Sequence, residues 1–77
     1  MTYEQAQEIA IKKGFGPTAL GVLFAASKGP TNPYDHFGNT LRRSWSYAYF
    51  VRLEAAGLLR QVDAPQGRRG FHWYELN

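Results

Sequence analysis

The stretch SWSYAYFVRLEAAGLLRQVDAPQGRRGFHWYELN, from Ser44 to Asn77, decides the fold. Ser46, Tyr49, Phe50, Leu53 and Gly57 recur with the 3.6-residue period of a helix and mark its buried stripe. Ser44 or Ser46 is the expected N-cap, and Gly57 the C-terminal stop. Trp45, Ala48, Arg52 and Ala55 then point away from the core, with Ser44 and Val51 beside them. Leu58 to Asp63 reads as a strand. Ala64-Pro65-Gln66-Gly67 fits a type I turn with Pro65 second and Gly67 fourth. Gly70 to Leu76 reads as the returning strand. Its two faces, Phe71/Trp73/Glu75 and His72/Tyr74/Leu76, are both aromatic. Tyr74 and Leu76 are placed inward, because Leu76 has no polar tip, and Trp73 on a rim.

Upstream of this stretch lie more helices. Thr2 and Gln5 fit a capping box, and Tyr3, Ala6, Ile9 and Ala10 share a face. The first helix is expected from about Tyr3 to Lys13, stopping at Gly14. Gly16-Pro17 opens a second, with Pro17 in its first turn. Leu20, Val22, Leu23, Phe24 and Ala26 leave it little polar face, which predicts burial on most sides. Gly29-Pro30 ends it. The turn-rich PTNPYD follows, where Pro33 biases Asn32 away from helix. A short helix is expected over about 33–42, with Tyr34, Phe37 and Leu41 on one face. The expected class is mostly α with a C-terminal β-hairpin, in one domain over residues 1–77. Its parts are an N-terminal helix (1–14), a three-helix core (17–57, with the exposed helix at about 45–56) and a hairpin (58–76).

Composition narrows the function classes. A 77-residue chain makes one small core. The absence of cysteine removes disulfides and thiolate metal sites. No apolar run approaches the roughly 18 residues of a membrane span, and Met1-Thr2-Tyr3-Glu4 lacks the pattern of a signal peptide. A cytoplasmic protein without membrane partners is the expectation. His36 and His72 are the only histidines, and no phosphate loop or HExxH pattern occurs. No enzyme, metal or cofactor is therefore expected.

The net charge is +3, and its placement is uneven. Lys12, Lys13 and Lys28 balance Glu4, Glu8 and Asp35 in residues 1–39. Residues 40–77 hold Arg42, Arg43, Arg52, Arg60, Arg68 and Arg69 against Glu54, Asp63 and Glu75, so the whole excess lies there. Arginine presents a planar fork of donors suited to phosphate and to guanine edges. A helix with an outward face, followed by an arginine-tipped hairpin, is the layout of a recognition helix and its wing. A helix fits the major groove, and its first turn makes the base contacts, here Ser44, Trp45, Tyr47 and Ala48. Arg42 and Arg43 precede that turn and suit phosphates. Arg52 lies farther along the helix. Gln66, Arg68 and Arg69 lie at the hairpin tip, where they suit a minor groove or the backbone. Each has a plainer reading as well: solvated pairs for the arginines, protection of the hairpin edge for Arg68 and Arg69, packing for Trp45 and Tyr47, and pairing with Glu8 or Asp35 for Arg52.

Residues Ala19 to Asn77 resemble the winged helix-turn-helix domain of PadR-type transcriptional regulators and, more loosely, MarR-type ones. The likeness is carried by Leu20-Gly21-Val22-Leu23, Gly29-Pro30, Tyr34, Ser46-Tyr47, Arg52-Leu53-Glu54-Ala55-Ala56-Gly57-Leu58-Leu59, Gly67-Arg68-Arg69 and Tyr74-Glu75-Leu76-Asn77. It implies a winged helix with an additional N-terminal helix. It also implies sequence-specific binding of double-stranded DNA in transcription regulation. PadR-type chains continue into helices that dimerise and help to bind effectors, whereas this chain stops at the wing. A homodimer would then use the N-terminal helix or the aromatic surface. A minimal domain of this kind is typical of phage or mobile-element regulators. The alternative is a winged-helix module that binds protein, such as a phage-encoded inhibitor or an assembly subunit, through Trp45, Tyr47 and Trp73. The basic hairpin leaves RNA as a further ligand.

Overall fold

Three helices and a terminal antiparallel hairpin make up the computed structural model, which describes residues 1–33, 43–68 and 72–77, the side chains of 43–46 excepted. The elements are α1 (Tyr3–Lys12), α2 (Pro17–Ser27), α3 (Arg43–Ala55), β1 (Leu59–Val62) and β2 (Trp73–Leu76). The helix expected over 33–42 lies, but for Pro33, outside the described residues.

Local chemistry sets the helix ends. The Thr2 hydroxyl accepts from the Gln5 amide at 3.2 Å, and the Gln5 side chain accepts from the Thr2 amide at 2.9 Å. This is the expected capping box, and it satisfies two N–H groups that the first turn leaves open. At the end of α3, Gly57 has φ +81. Its amide donates to the Glu54 carbonyl at 2.9 Å, and the Leu58 amide to that of Leu53 at 3.0 Å. This pair of bonds is a Schellman motif, and the left-handed residue it requires is the reason for glycine. Leu53 and Leu58 are both fully buried beneath it. The same two bonds close α1 at Gly14 and Phe15.

Two expectations at helix level need correction. Ser44 and Ser46 lie inside α3, which begins at Arg43, so neither precedes the helix as a cap. The second is Phe24 of α2, one of the residues whose apolar character predicts burial on most sides. Ala19, Val22, Leu23 and Ala26 are buried, but Phe24 is 49 % exposed, its ring edge-on to Tyr3 at 5.4 Å. A helix apolar on nearly every side carries no periodic sign of which side is inside.

β1 and β2 pair antiparallel with Leu59 opposite Leu76, Arg60 opposite Glu75, Gln61 opposite Tyr74 and Val62 opposite Trp73. On the outer face Arg60 reaches across to Glu75, with Nε 2.8 Å from the carboxylate. The turn sits one residue later than expected. The Arg68 amide donates to the Pro65 carbonyl at 2.9 Å, and Gly67 has φ +82. Pro65 is therefore first and Gly67 third, and positive φ at the third position defines type II rather than type I. The second strand is described from Trp73, and its expected start over 70–71 lies outside the described residues. Before it stands His72 at φ 64, the one non-glycine in a left-handed conformation among the described residues.

Thr31 adds a third piece of sheet. Its amide and carbonyl exchange two 2.8 Å bonds with those of Tyr74, in an isolated antiparallel bridge. Tyr74 thus pairs with Gln61 on one edge and Thr31 on the other, which ties the segment after α2 to the hairpin. The core lies between these elements. α2 packs against α1, α3 and β2, and α3 packs against β1. Phe50, Leu53, Leu58, Leu59 and Tyr74 join Val22 and Leu23 in one buried cluster. Burying each of the larger aliphatic and aromatic side chains contributes about 1.5–3 kcal/mol before conformational entropy is subtracted.

Candidate nucleic-acid interface

The buried face of α3 fixes what its other faces present. Phe50 and Leu53 point inward, and Tyr49 packs at the edge of the core. The helical period then places Ala48, Val51 and Ala55 on the outward crest, and all three are exposed. Arg52 leaves one flank and Tyr47 the other. These placements match the expected outward set for Ala48, Arg52 and Ala55.

On the first flank, the Arg52 guanidinium lies over the Phe15 ring, 5.4 Å from its centroid. Phe15 follows the stop of α1, so the α1–α2 junction holds this arginine in place. Of the two acids expected as alternative partners, Glu8 instead lies 3.4 Å from Lys12, and Asp35 is outside the described residues. At the hairpin, the Arg68 guanidinium lies 5.1 Å from the Trp73 ring centroid. Such stacking holds a planar cation while leaving its edge donors directed outward. Arg60 is engaged by Glu75, so it is not among the candidate phosphate ligands.

On the second flank, the Tyr47 hydroxyl is 3.2 Å from His72 Nδ1, with the two rings 4.8 Å apart. Burial pushes the Tyr74 phenol well above the usual tyrosine range, and a hydrogen bond to Tyr47 and the nearby Glu54 charge add to this. Tyr47 is half-buried and engaged with the hairpin, so its hydroxyl is directed to the protein.

The remaining site residues divide by position. Gln66 and Arg68 are exposed at the turn. Arg43, Ser44 and Trp45 lie in the first turn of α3, but their side chains are outside the described set, as are Arg42 and Arg69 entirely. Trp73 is a correction. It is 2 % exposed rather than on a rim, so it cannot anchor a partner as an exposed aromatic. Both faces of β2 are buried at Trp73 and Tyr74, an outcome that a two-residue period does not anticipate for an outer strand. Among the described residues the exposed large apolar groups are Ile11, at 56 %, Phe24 and Met1, each nearly half exposed, and Val51 on the crest of α3. His72 and Phe15 are the site residues that sequence reasoning missed. A left-handed histidine has no pattern of its own, whereas Phe15 beside the Gly14 stop was open to reading as a packing residue.

An open depression of about 440 Å³ runs along α1, lined by Met1, Gln5, Glu8, Ile9 and Lys12. Among the described residues, no group of three His, Cys, Asp or Glu side chains could hold a metal ion. No helix among them is long and apolar enough to cross a membrane.

The class defined by these observations is a mostly helical domain closed by a C-terminal antiparallel hairpin, with two aromatic-stacked arginines. Comparison with family models, with curated proteins and with solved structures gave no match.

Proposed function

We propose that this chain is a winged-helix protein that binds double-stranded DNA and regulates transcription. In this reading α3 enters the major groove and the hairpin lies on the backbone or in the adjacent minor groove. The observation that carries it is Arg68, exposed at the hairpin turn and pre-oriented by Trp73. Arg52 on Phe15 supports it from the other flank. The crest of Ala48, Val51 and Ala55 has no long side chain to hold the helix away from base edges. Ordering these cations beforehand lowers the entropy cost of binding. The positive excess of residues 40–77 supplies the attraction.

Selection of bound duplexes from a random pool tests the reading. A shared motif among the recovered sequences is expected, and a palindromic one would report a dimer and its half-site spacing. Recovery no better than from a bare matrix would refute it. A protein-binding role is the second reading. It is favoured by the exposure of Ile11 and Phe24 on α1 and α2.

A further inference from the structure

We propose that Tyr47 is a positioning residue whose hydroxyl latches the hairpin to α3 and so fixes where Arg68 lies relative to that helix. Tyr47 comes from α3, whereas His72 immediately precedes β2 and Tyr74 lies within it. The Tyr47 hydroxyl lies 3.2 Å from His72 Nδ1, which links α3 to the hairpin through side chains. His72 is held at φ 64, which costs a non-glycine residue about 1–2 kcal/mol, so the conformation needs support from its surroundings. The tilted stacking of its ring on Tyr47, 4.8 Å between centroids, is part of that support.

The donors and acceptors form an ordered chain. Burial favours the protonated Tyr74 phenol, which can then serve as a donor to the Tyr47 oxygen. Tyr47 is then left with its own proton for His72 Nδ1, which accepts it when the imidazole is neutral with its hydrogen on Nε2. The chain is anchored at its far end, because the Tyr74 backbone is paired on both sides, with Gln61 and with Thr31. At the near end, His72 adjoins Trp73, the residue whose ring carries the Arg68 guanidinium. Loss of one hydroxyl on α3 therefore reaches the hairpin arginine through His72 and Trp73.

The latch is a property of the free protein, and its effect on duplex affinity rests on the function proposed above. Tyr47→Phe keeps the ring and removes the hydroxyl. In the free variant, nitrogen-15 NMR is expected to show a shifted His72 Nδ1 resonance and a reduced heteronuclear Overhauser effect at the Arg68 amide, with far-UV circular dichroism unchanged. An unchanged Arg68 signal would overturn the latch. In the second arm, Tyr47→Phe is expected to weaken duplex binding about three- to tenfold with Arg68 present. It is expected to have little effect in the Arg68→Ala background. Equal losses in both backgrounds would overturn the coupling, because a merely structural role is additive. Absence of duplex binding by the wild-type protein would refute the proposed function and leave the free-protein arm to decide the latch.

Discussion

Phe50→Ala should destabilise the protein by about 3–5 kcal/mol, the range for truncating a buried phenylalanine. Phe50 has no exposed surface, and its ring lies 5.3 Å from that of Tyr74 at a tilt of 41°. It is therefore one of the contacts by which α3 holds the hairpin, and its removal leaves a cavity bordered by Tyr74, which the Thr31 bridge keeps from collapsing inward. A chain of 77 residues has a total stability of roughly 4–12 kcal/mol. The substitution consumes a quarter of that at the least and unfolds the protein at the most. A loss of about 3 kcal/mol lowers Tm by roughly 12–24 °C in a domain of this size. Urea denaturation followed by circular dichroism measures it, with the slope m expected to stay constant. Val51→Ala, one residue away and 39 % exposed, is the matched control and should change stability by no more than about 0.5 kcal/mol. A loss below about 1 kcal/mol for Phe50→Ala at unchanged m, or equal losses for the two variants, would refute the packing of α3 on the hairpin.

Alkaline pH tests the buried phenol. The Tyr74 phenol titrates higher folded than unfolded, so its contribution is complete below the ordinary value of about 10 and is lost as pH rises above it. Wild type should lose about 1.4 kcal/mol more per pH unit in that window than Tyr74→Phe. Parallel stability curves for the two proteins would contradict the burial. Gly67→Ala meets no atom within 4 Å of the added carbon, so only its φ of +82 matters. A cost of about 1–2 kcal/mol in thermal denaturation is expected, and a neutral result would reject the type II turn. Thr2→Ala should cost about 1 kcal/mol and lower helicity in the first turn, read by amide exchange at Gln5.

What was legible in the sequence follows from how local each signal is. The cap at Thr2, the glycine stop at 57 and the burial of Phe50 and Leu53 are set by neighbours within a turn or two and form as read, whereas Gly57, expected in the same buried stripe, is exposed. The hairpin was legible too, but its turn was one residue out. Pro65 fits the first position as well as the second, and the positive φ of Gly67 decides between them. Features that depend on distant partners were not legible. The Thr31–Tyr74 bridge joins residues 43 apart in the chain, and only the extended bias before Pro33 hinted at it. Trp73 has an amphipathic ring compatible with a rim, and only its tertiary surroundings bury it. At the candidate site, the arginines were identifiable from charge placement. Their aromatic supports, Phe15 and Trp73, were not, because stacking across the fold leaves no spacing to read.

The most direct test of the central claim is duplex affinity measured by fluorescence anisotropy over a range of salt concentrations, for the wild type and for Arg68→Ala. Each phosphate neutralised adds about −0.9 to the slope of log affinity against log salt. The account predicts binding that weakens steeply with salt, and a slope shallower by about 0.9 when Arg68 is removed. Wild-type binding that is absent at low salt, or a slope that Arg68→Ala leaves unchanged, would contradict it.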